Sequence, residues 1–240
     1  MIRSMHGTSE DGREVGEGLA SEGFGARLRE AVAKPLDGWR EVYEGFSPVD
    51  LKTGERHSRV PEPGEDYRRA AVLMPVLLET EKARLVYTVR RDHLHDHAGQ
   101  ISFPGGNPEP KDESLLATAL REAEEEINLR PDLVEVIGEL EEMYIPPSRF
   151  LVRPFVGLLP QEAELSLDPE EVEATFSVSL DELMSPEAFK KVIRERDGRP
   201  YEVPVFSVAG HEIWGATAAM TGGLLARLGW EVGGTAETEG

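Results

Sequence analysis

Residues 102–129 read SFPGGNPEPKDESLLATALREAEEEINL, and this stretch decides both the fold and the chemistry of the chain. Pro104-Gly105-Gly106 ends a short apolar run, and a polar loop containing proline and acidic residues follows it. From about Glu113 to Asn128, apolar residues recur at helical spacing. The sequence therefore predicts a glycine turn, a loop and then a helix over 113–128.

The predicted helix has an apolar face and an acidic face. At about 100° per residue, its apolar residues form a narrow stripe for packing on a sheet: Leu116, Leu120, Ala123 and Ile127. Three carboxylates at positions i, i+3 and i+4 share another face: Glu122, Glu125 and Glu126. Glu124 lies on the opposite flank, where we expect it to be exposed to solvent.

The acidic face is typical of a metal site, with a solvated helix face as the alternative interpretation. Like charges at this spacing repel each other by about 0.2–0.5 kcal/mol per pair, and burial raises that cost unless a cation lies between them. Carboxylate oxygens suit hard divalent ions such as Mg²⁺. Arg121 precedes Glu125 by four residues and is placed to fix its rotamer. Gly105 and Gly106, which lack a Cβ, allow the backbone to approach the cluster closely.

The whole pattern resembles the Nudix box, which is written G-x5-E-x7-R-E-U-x-E-E-x-G-U with U apolar. Its second half is matched in register by Arg121, Glu122, Ala123, Glu125, Glu126 and Leu129. Asn128 replaces the last glycine, and asparagine tolerates the left-handed conformation of a helix end. The first half is one residue longer than the box, so either Asp112 or Glu113 fills the early acidic position.

A second resemblance narrows the expected substrate. Residues 97–106, HAGQISFPGG, are similar to the H-x-G-Q-[IV]-x-F-P-G-G run of Nudix enzymes that hydrolyse coenzyme A and its thioesters. The turn at 146–148, the Glu171-Val172 pair and residues 213–217 resemble the same group, and the likeness extends from about residue 70 to residue 228. We assign substrate binding to Gln100, Gly105 and Gly106 of this run and to Arg91, which follows an apolar strand.

The resemblance implies an α/β fold, a Nudix-like α/β/α sandwich with a mixed β-sheet. It makes Glu122, Glu125 and Glu126 ligands of Mg²⁺ or Mn²⁺, with Glu125, Glu126 and Arg121 as catalytic residues. One of the glutamates, or a carboxylate from a later loop, accepts the proton of the attacking water. The expected reaction splits coenzyme A into 4′-phosphopantetheine and 3′,5′-ADP. ADP-ribose, NADH and dinucleoside polyphosphates are alternative substrates, and a non-catalytic nucleotide-binding module is the alternative class.

The rest of the chain predicts one domain with extensions. We expect a disordered tail at 1–23, a helix and connector at 24–66, the Nudix domain at 67–230 and a second tail at 231–240. Strands are predicted at 70–78, 84–89, 100–103, 134–140, 152–159, 176–178 and 201–208, and a last helix at 216–228. Glu139, Glu141 and Glu142 are interpreted either as a further source of carboxylate or as a solvated edge.

Composition excludes several classes of protein. A formal charge of −20 disfavours nucleic-acid binding, and the longest apolar run, 70–78, is far too short for a membrane span. The absence of cysteine excludes disulfides and zinc–thiolate sites, and together with the lack of a signal sequence it predicts a cytoplasmic protein.

The H-x-H-x-H pattern of His93, His95 and His97 is interpreted as a polar loop or, less favoured, as a transition-metal site. The sequence leaves monomer or homodimer open.

Overall fold

The structure, a computed structural model, describes residues 14–79, 82–91 and 100–232, with side chains from residue 23 onward. The helices are α1 (Glu14–Val32), α2 (Trp39–Gly45), α3 (Leu115–Ile127), α4 (Leu180–Met184) and α5 (Gly215–Arg227), with a 3₁₀ turn at Pro131–Leu133. The strands are β1 (Val49–Asp50), β2 (Arg68–Leu78), β3 (Ala83–Arg90), β4 (Ile101–Ser102), β5 (Gly105–Gly106), β6 (Glu135–Glu139), β7 (Met143–Ile145), β8 (Phe150–Pro160), β9 (Val172–Ser179), β10 (Phe189–Arg196), β11 (Arg199–Val208) and β12 (His211–Trp214).

The main sheet is mixed, as predicted. Its strands run in the order β4-β3-β2-β8-β6, while β5, β7 and β9 pair with β2, β8 and β3 respectively. Strands β2 and β8 are parallel over eleven residue pairs, and the other pairings in this sheet are antiparallel. The long connection between β2 and β8 contains α3, which packs on β2 and so lies beside the centre of the sheet.

Helices cover both faces of this sheet because β2 alternates between two apolar cores. Met74 and Val76 join the core that contains α1, α2 and α5, whereas Ala71 and Leu73 join the core formed with α3. Successive side chains of a strand point to opposite faces, so a strand buried on both sides is apolar throughout. This arrangement confirms the predicted α/β/α sandwich.

A second, smaller sheet was not predicted from the sequence. In the described part of the chain, it contains β1, β10, β11 and β12. Strand β10, with the sequence FKKVIRER, is largely exposed and highly charged, so its pattern resembles a polar helix or loop. The available signal was Asp197-Gly198, whose positive φ angles of 52° and 70° form the two-residue turn between β10 and β11.

One helix boundary and one turn differ from the predictions. Helix α1 begins at Glu14 and not at residue 24. The sequence did not predict this start because the first turns of the helix are rich in small and acidic residues and have no apolar periodicity. Gly105-Gly106 is a short strand paired with Ala71 and Val72, so the expected turn is wrong. Residues 1–13 and 233–240 of the predicted tails lie outside the described residues. Among the described helices, none has the length and apolarity needed to cross a membrane.

Candidate active site

Helix α3 is capped at both ends, by Ser114 and by Asn128. The Ser114 hydroxyl accepts a hydrogen bond from the Ala117 N–H at 3.1 Å, which caps the N-terminus. Asn128 adopts the left-handed conformation, with φ 52°, and its N–H donates to the Glu124 carbonyl at 2.9 Å. The expected role of asparagine in place of glycine is confirmed.

The buried side of α3 includes one of the three glutamates. Ala119, Ala123 and Ile127 pack against the sheet, while Leu116 and Leu120 are only partly buried. The centre of the apolar stripe is therefore rotated from the predicted position toward Glu126, whose residue surface is only 2% exposed. A buried carboxylate on a packing face costs free energy unless something compensates its charge.

The three glutamates consequently have different environments. The exposed fraction of the side chain is 3% for Glu126, 16% for Glu122 and 50% for Glu125. Glu125 binds Arg121 at 2.7 Å and lies 3.5 Å from Lys111. The structure thus brings Glu122 and Glu126 together at the base of the site and holds Glu125 at its rim.

Arg121 fixes the loop to the helix. Its guanidinium group donates to the Asp112 carboxylate at 3.0 Å, to Glu122 at 2.9 Å and to the Asn107 carbonyl at 3.1 Å, in addition to Glu125. The predicted contact between Arg121 and Glu125 is confirmed.

Asp112, and not Glu113, provides the early carboxylate that contacts the arginine of the box. Its Oδ2 also accepts from the Thr118 hydroxyl at 3.0 Å and from the Glu109 N–H at 2.9 Å. The hydrogen bonds from Arg121 and the neighbouring donors hold the pKa of Asp112 far below its usual range. Glu113 is exposed.

The two glycines allow β5 to lie directly against the acidic cluster. A Cβ added to Gly106 would lie 2.4 Å from Oε1 of Glu122, and one added to Gly105 would lie 2.3 Å from the Ala71 carbonyl oxygen. Both distances are shorter than van der Waals contact, so a side chain at either position displaces its neighbour. The predicted close approach of the backbone is confirmed.

The pKa values of the two inner glutamates are raised. Burial raises the pKa of Glu126 to about 8, with further contributions from the negative charges of Glu122 and Glu171. Arg90, whose Nη1 lies 3.7 Å from Oε1 of Glu126, and the Gly105 N–H oppose this shift. Burial likewise raises the pKa of Glu122, although Arg121 opposes it. The described cations therefore leave the pair incompletely neutralised.

The ends of three strands bring further groups to this cluster. The Arg90 N–H donates to the Gln100 carbonyl at 3.0 Å, and the Arg91 N–H donates to the Glu171 carbonyl at 3.2 Å. The register of β3 and β9 shifts between Val89 and Arg90, an irregularity of the kind that re-aims side chains beside active sites. Nε of Arg91 is buried without a hydrogen-bond partner among the described residues.

Glu171 is the functional candidate that the residue-by-residue analysis did not single out. Its carboxylate acts on both Glu122 and Glu126 by charge repulsion, it is exposed, and it forms no ion pair within the described residues. The only sequence signal was the Glu171-Val172 resemblance, because 45 residues separate Glu171 from Glu126 and no helical or strand spacing links them.

The other acidic run is not available to the cluster. Glu141 binds Arg227, and its second oxygen accepts from the Leu36 N–H at 3.1 Å. Glu142 binds Arg69 and Arg153, and Glu139 lies 3.6 Å from Arg153. Glu139 is exposed on the edge strand β6, as the interpretation as a solvated edge expects, whereas Glu141 and Glu142 are held in ion pairs. His93, His95, His97 and the start of the HAGQ run lie outside the described residues.

The donor set fits a hard divalent cation. Glu122 and Glu126 present carboxylate oxygens that burial removes from water, which raises the pKa of both groups, and a bound cation would offset that cost. Over 14–79, 82–91 and 100–232, no three histidine, cysteine, aspartate or glutamate side chains already form a closed ligand group. Mg²⁺ usually takes one or two protein carboxylates and completes its shell with water and substrate phosphates, which an open pair permits.

Comparison with known proteins agrees with the geometry. The family model described as NUDIX domain matches residues 66–197. "Uncharacterized Nudix hydrolase NudL" of Photorhabdus laumondii is 41% identical over 156 residues, covering 65% of this chain and 82% of that protein. The protein of the same name from Yersinia pestis (strain Pestoides F) is 40% identical over 153 residues, covering 64% of this chain and 76% of that protein.

Solved structures with similar folds include two of this family. A NUDIX hydrolase from Alicyclobacillus acidocaldarius has a TM-score of 0.44 at 19% identity, covering 50% of this chain and 82% of that one. The NUDIX domain of Shewanella oneidensis NrtR, solved with ADP ribose, has a TM-score of 0.41 at 16% identity, covering 52% of this chain and 80% of that one.

Nudix enzymes generally use a divalent metal such as Mg²⁺ or Mn²⁺. The chain belongs to the Nudix family, and it is a hydrolase that cleaves the diphosphate linkage of nucleoside diphosphate derivatives.

Proposed function

We propose that this enzyme hydrolyses coenzyme A or its thioesters, releasing 4′-phosphopantetheine, or its acylated form, and 3′,5′-ADP. The choice of substrate is supported by the sequence of residues 97–106, of which 100–106 are described. The observation that carries the reaction itself is the buried, incompletely neutralised pair of Glu122 and Glu126 beside the glycines of β5.

Glu122 and Glu126, with Glu125 at the rim, would hold Mg²⁺ or Mn²⁺. When bound, such an ion withdraws charge from a phosphoryl oxygen and lowers the pKa of a coordinated water. Arg121 is a positioning residue, because its guanidinium is bound to Asp112, Glu122 and Glu125 and is only 12% exposed. It orients the carboxylates, and its guanidinium group is not free to bind substrate.

Arg90 and Arg91 are proposed to bind the diphosphate, together with Gln100 and the backbone of Gly105 and Gly106. Arg90 lies beside Glu126, and at the same end of β3 the buried Nε of Arg91 has no hydrogen-bond partner among the described residues. These cations reduce the local negative charge, and together with a bound divalent ion they would allow an anionic substrate to approach. Charge-assisted hydrogen bonds from guanidinium groups also orient phosphate oxygens.

The attacking water must lose a proton to a carboxylate, and Glu171 is better placed for this than Glu125 or Glu126. Glu126 is buried, and Glu125 is bound to Arg121 and Lys111, whereas Glu171 is exposed next to the inner pair. Replacing Glu171 by Gln should lower kcat by about 10²-fold or more, with little change in KM. General-base catalysis typically contributes about 10²- to 10⁴-fold to the rate. An unchanged kcat in Glu171→Gln would exclude Glu171 as the general base.

A panel of substrates tests the proposed specificity. Coenzyme A, dephospho-coenzyme A, ADP-ribose, NADH and a dinucleoside tetraphosphate are each incubated with the enzyme and Mg²⁺ or Mn²⁺, and products are identified by mass. One charged hydrogen bond to the 3′-phosphate favours coenzyme A over dephospho-coenzyme A by about tenfold or more in kcat/KM. Faster turnover of ADP-ribose would contradict the coenzyme A assignment and leave the Nudix chemistry in place.

A further inference from the structure

A cavity lined by basic side chains lies on the face of the main sheet opposite to α3. It has a volume of about 390 Å³ and is formed by the last turns of α1, the segment that follows them and the end of α5. Its charged lining consists of Arg27, Lys34, Arg227 and Glu30, and its remaining walls are alanine, proline and leucine side chains. Helices α1 and α5 belong to one apolar core and α3 to the other, so this cavity is separate from the box.

The base of the cavity contains a buried arginine with an unused donor. The Arg227 side chain is 3% exposed, and its terminal nitrogens donate to Glu141 and, at 3.0 Å, to the Gly223 carbonyl. Its Nε is buried and has no hydrogen-bond partner in the described part of the chain. Because buried donors are almost always satisfied, this N–H points to an acceptor supplied by a ligand or by water.

The entrance of the cavity carries positive charge that carboxylates do not fully neutralise. Glu30 binds Lys34 at 2.7 Å, and Glu141, behind the base, is bound to Arg227. Arg27 is exposed, lies over the Phe24 ring at 5.6 Å, and forms no ion pair with the residues that the structure describes. In a chain of net charge −20, a cavity with surplus positive charge runs against the overall field.

We propose that this cavity binds a small molecule in which a phosphate or carboxylate group is joined to a compact apolar body. The anionic group contacts Arg27, Lys34 and Nε of Arg227, and the apolar body packs against the walls formed by residues such as Ala31 and Leu36. The volume falls within the range of about 300–1,000 Å³ that is usual for small-molecule sites. This binding is independent of the diphosphate chemistry on the other face.

Binding can be measured by calorimetric titration of the full-length, metal-loaded protein with three probes that share a phenyl ring: phenyl phosphate, benzoate and neutral benzyl alcohol. The test variant combines Arg27→Gln with Lys34→Gln. Its matched control combines Arg196→Gln with Lys52→Gln, which removes the same charge from exposed side chains outside the cavity. Arg227→Lys is a second variant, which keeps the charge beside Glu141 and removes Nε.

We expect at least one anionic probe to bind the parent protein and the control equally, and to bind the Arg27/Lys34 variant about tenfold or more weakly. Arg227→Lys should weaken the same probe, and benzyl alcohol should bind more weakly than the anions. Preference for phenyl phosphate identifies a phosphate site, and preference for benzoate a carboxylate site. Absence of binding at millimolar probe, equal affinity in the Arg27/Lys34 variant, or equal binding of benzyl alcohol would overturn the proposal.

Discussion

Two acidic clusters of this molecule look alike in sequence and differ completely in structure. Glu122, Glu125 and Glu126 lie on α3, and Glu139, Glu141 and Glu142 follow within twenty residues. The later cluster is neutralised by Arg69, Arg153 and Arg227. Among the described residues, the inner pair of the earlier cluster has only Arg90 at 3.7 Å and the shared Arg121 as cationic partners. The density of acidic residues in the sequence therefore does not identify the site. The site is identified by a pair of carboxylates that the fold buries without matching cations.

The largest expected effect comes from breaking the incompletely neutralised cluster. Glu126→Gln removes a proposed metal ligand and should lower kcat with Mg²⁺ by about 10²-fold or more, which corresponds to about 2.7 kcal/mol in the barrier. The same substitution also removes a buried carboxyl group that is unfavourable to ionise, so the metal-free protein should keep or raise its Tm. The measurements are steady-state kinetics and thermal unfolding with a chelator. Unchanged turnover would show that Glu126 is not part of the metal site.

The matched substitution in the neutralised cluster should have the opposite profile. Glu141→Gln leaves the buried Arg227 guanidinium without its counter-ion, and breaking one partner of a buried ion pair typically costs about 3–5 kcal/mol. We therefore expect a clear fall in the free energy of unfolding, measured by denaturant titration, with kcat little changed in the remaining folded enzyme. If Glu141→Gln lowered kcat as much as Glu126→Gln does, the distinction between the two clusters would fail.

Gly106→Ala should reduce activity without unfolding the protein. The added Cβ would lie 2.4 Å from Oε1 of Glu122, and because that oxygen ends a flexible side chain, the carboxylate moves while the backbone stays in place. A misplaced ligand should lower kcat by about tenfold or more, since small displacements at a catalytic site have large effects on rate. Gly23→Ala, whose Cβ meets nothing within 4 Å, is the control. Full activity of Gly106→Ala would show that Glu122 can shift freely.

These contrasts also explain what the sequence could and could not predict. Arg121 and Glu125 are four residues apart on one helix, so helical spacing predicted their contact, and the resemblance to the Nudix box predicted the role of Asn128 at the helix end. The mixed sheet followed from apolar strands and from the resemblance. The placement of Glu171 beside Glu126, and of Arg227 beside Glu141, depends on pairing of distant segments and on side-chain packing, which no local spacing encodes. The exposed strand β10 was missed because its stability comes from β11 and not from an apolar face.

The stability of the metal-free protein should depend on pH through Glu126. Its pKa is about 8 in the folded state against an ordinary 4.5, so between these values the folded protein binds the extra proton. The stabilisation of the folded state by this proton is fully present below pH 4.5 and is lost as the pH rises through about 8. We expect Glu126→Gln to flatten the decline in Tm between pH 5 and pH 8.5, measured with a chelator present. An identical decline in the variant would assign the pH dependence to other groups.

The smallest effect should come from Glu124→Gln. Glu124 lies between the proposed ligands Glu122 and Glu125 in sequence but on the other side of α3. The side chain is exposed, and its carboxylate makes none of the hydrogen bonds or ion pairs identified within the described part of the chain. Turnover and Tm should both match the parent enzyme, because a surface substitution without partners usually changes stability by no more than about 0.5 kcal/mol. The variant removes the same charge as Glu126→Gln from a position two residues away, so it separates loss of a ligand from loss of general negative charge. A loss of turnover comparable to that of Glu126→Gln would mean that the acidic face of α3 has been assigned to the wrong side of the helix.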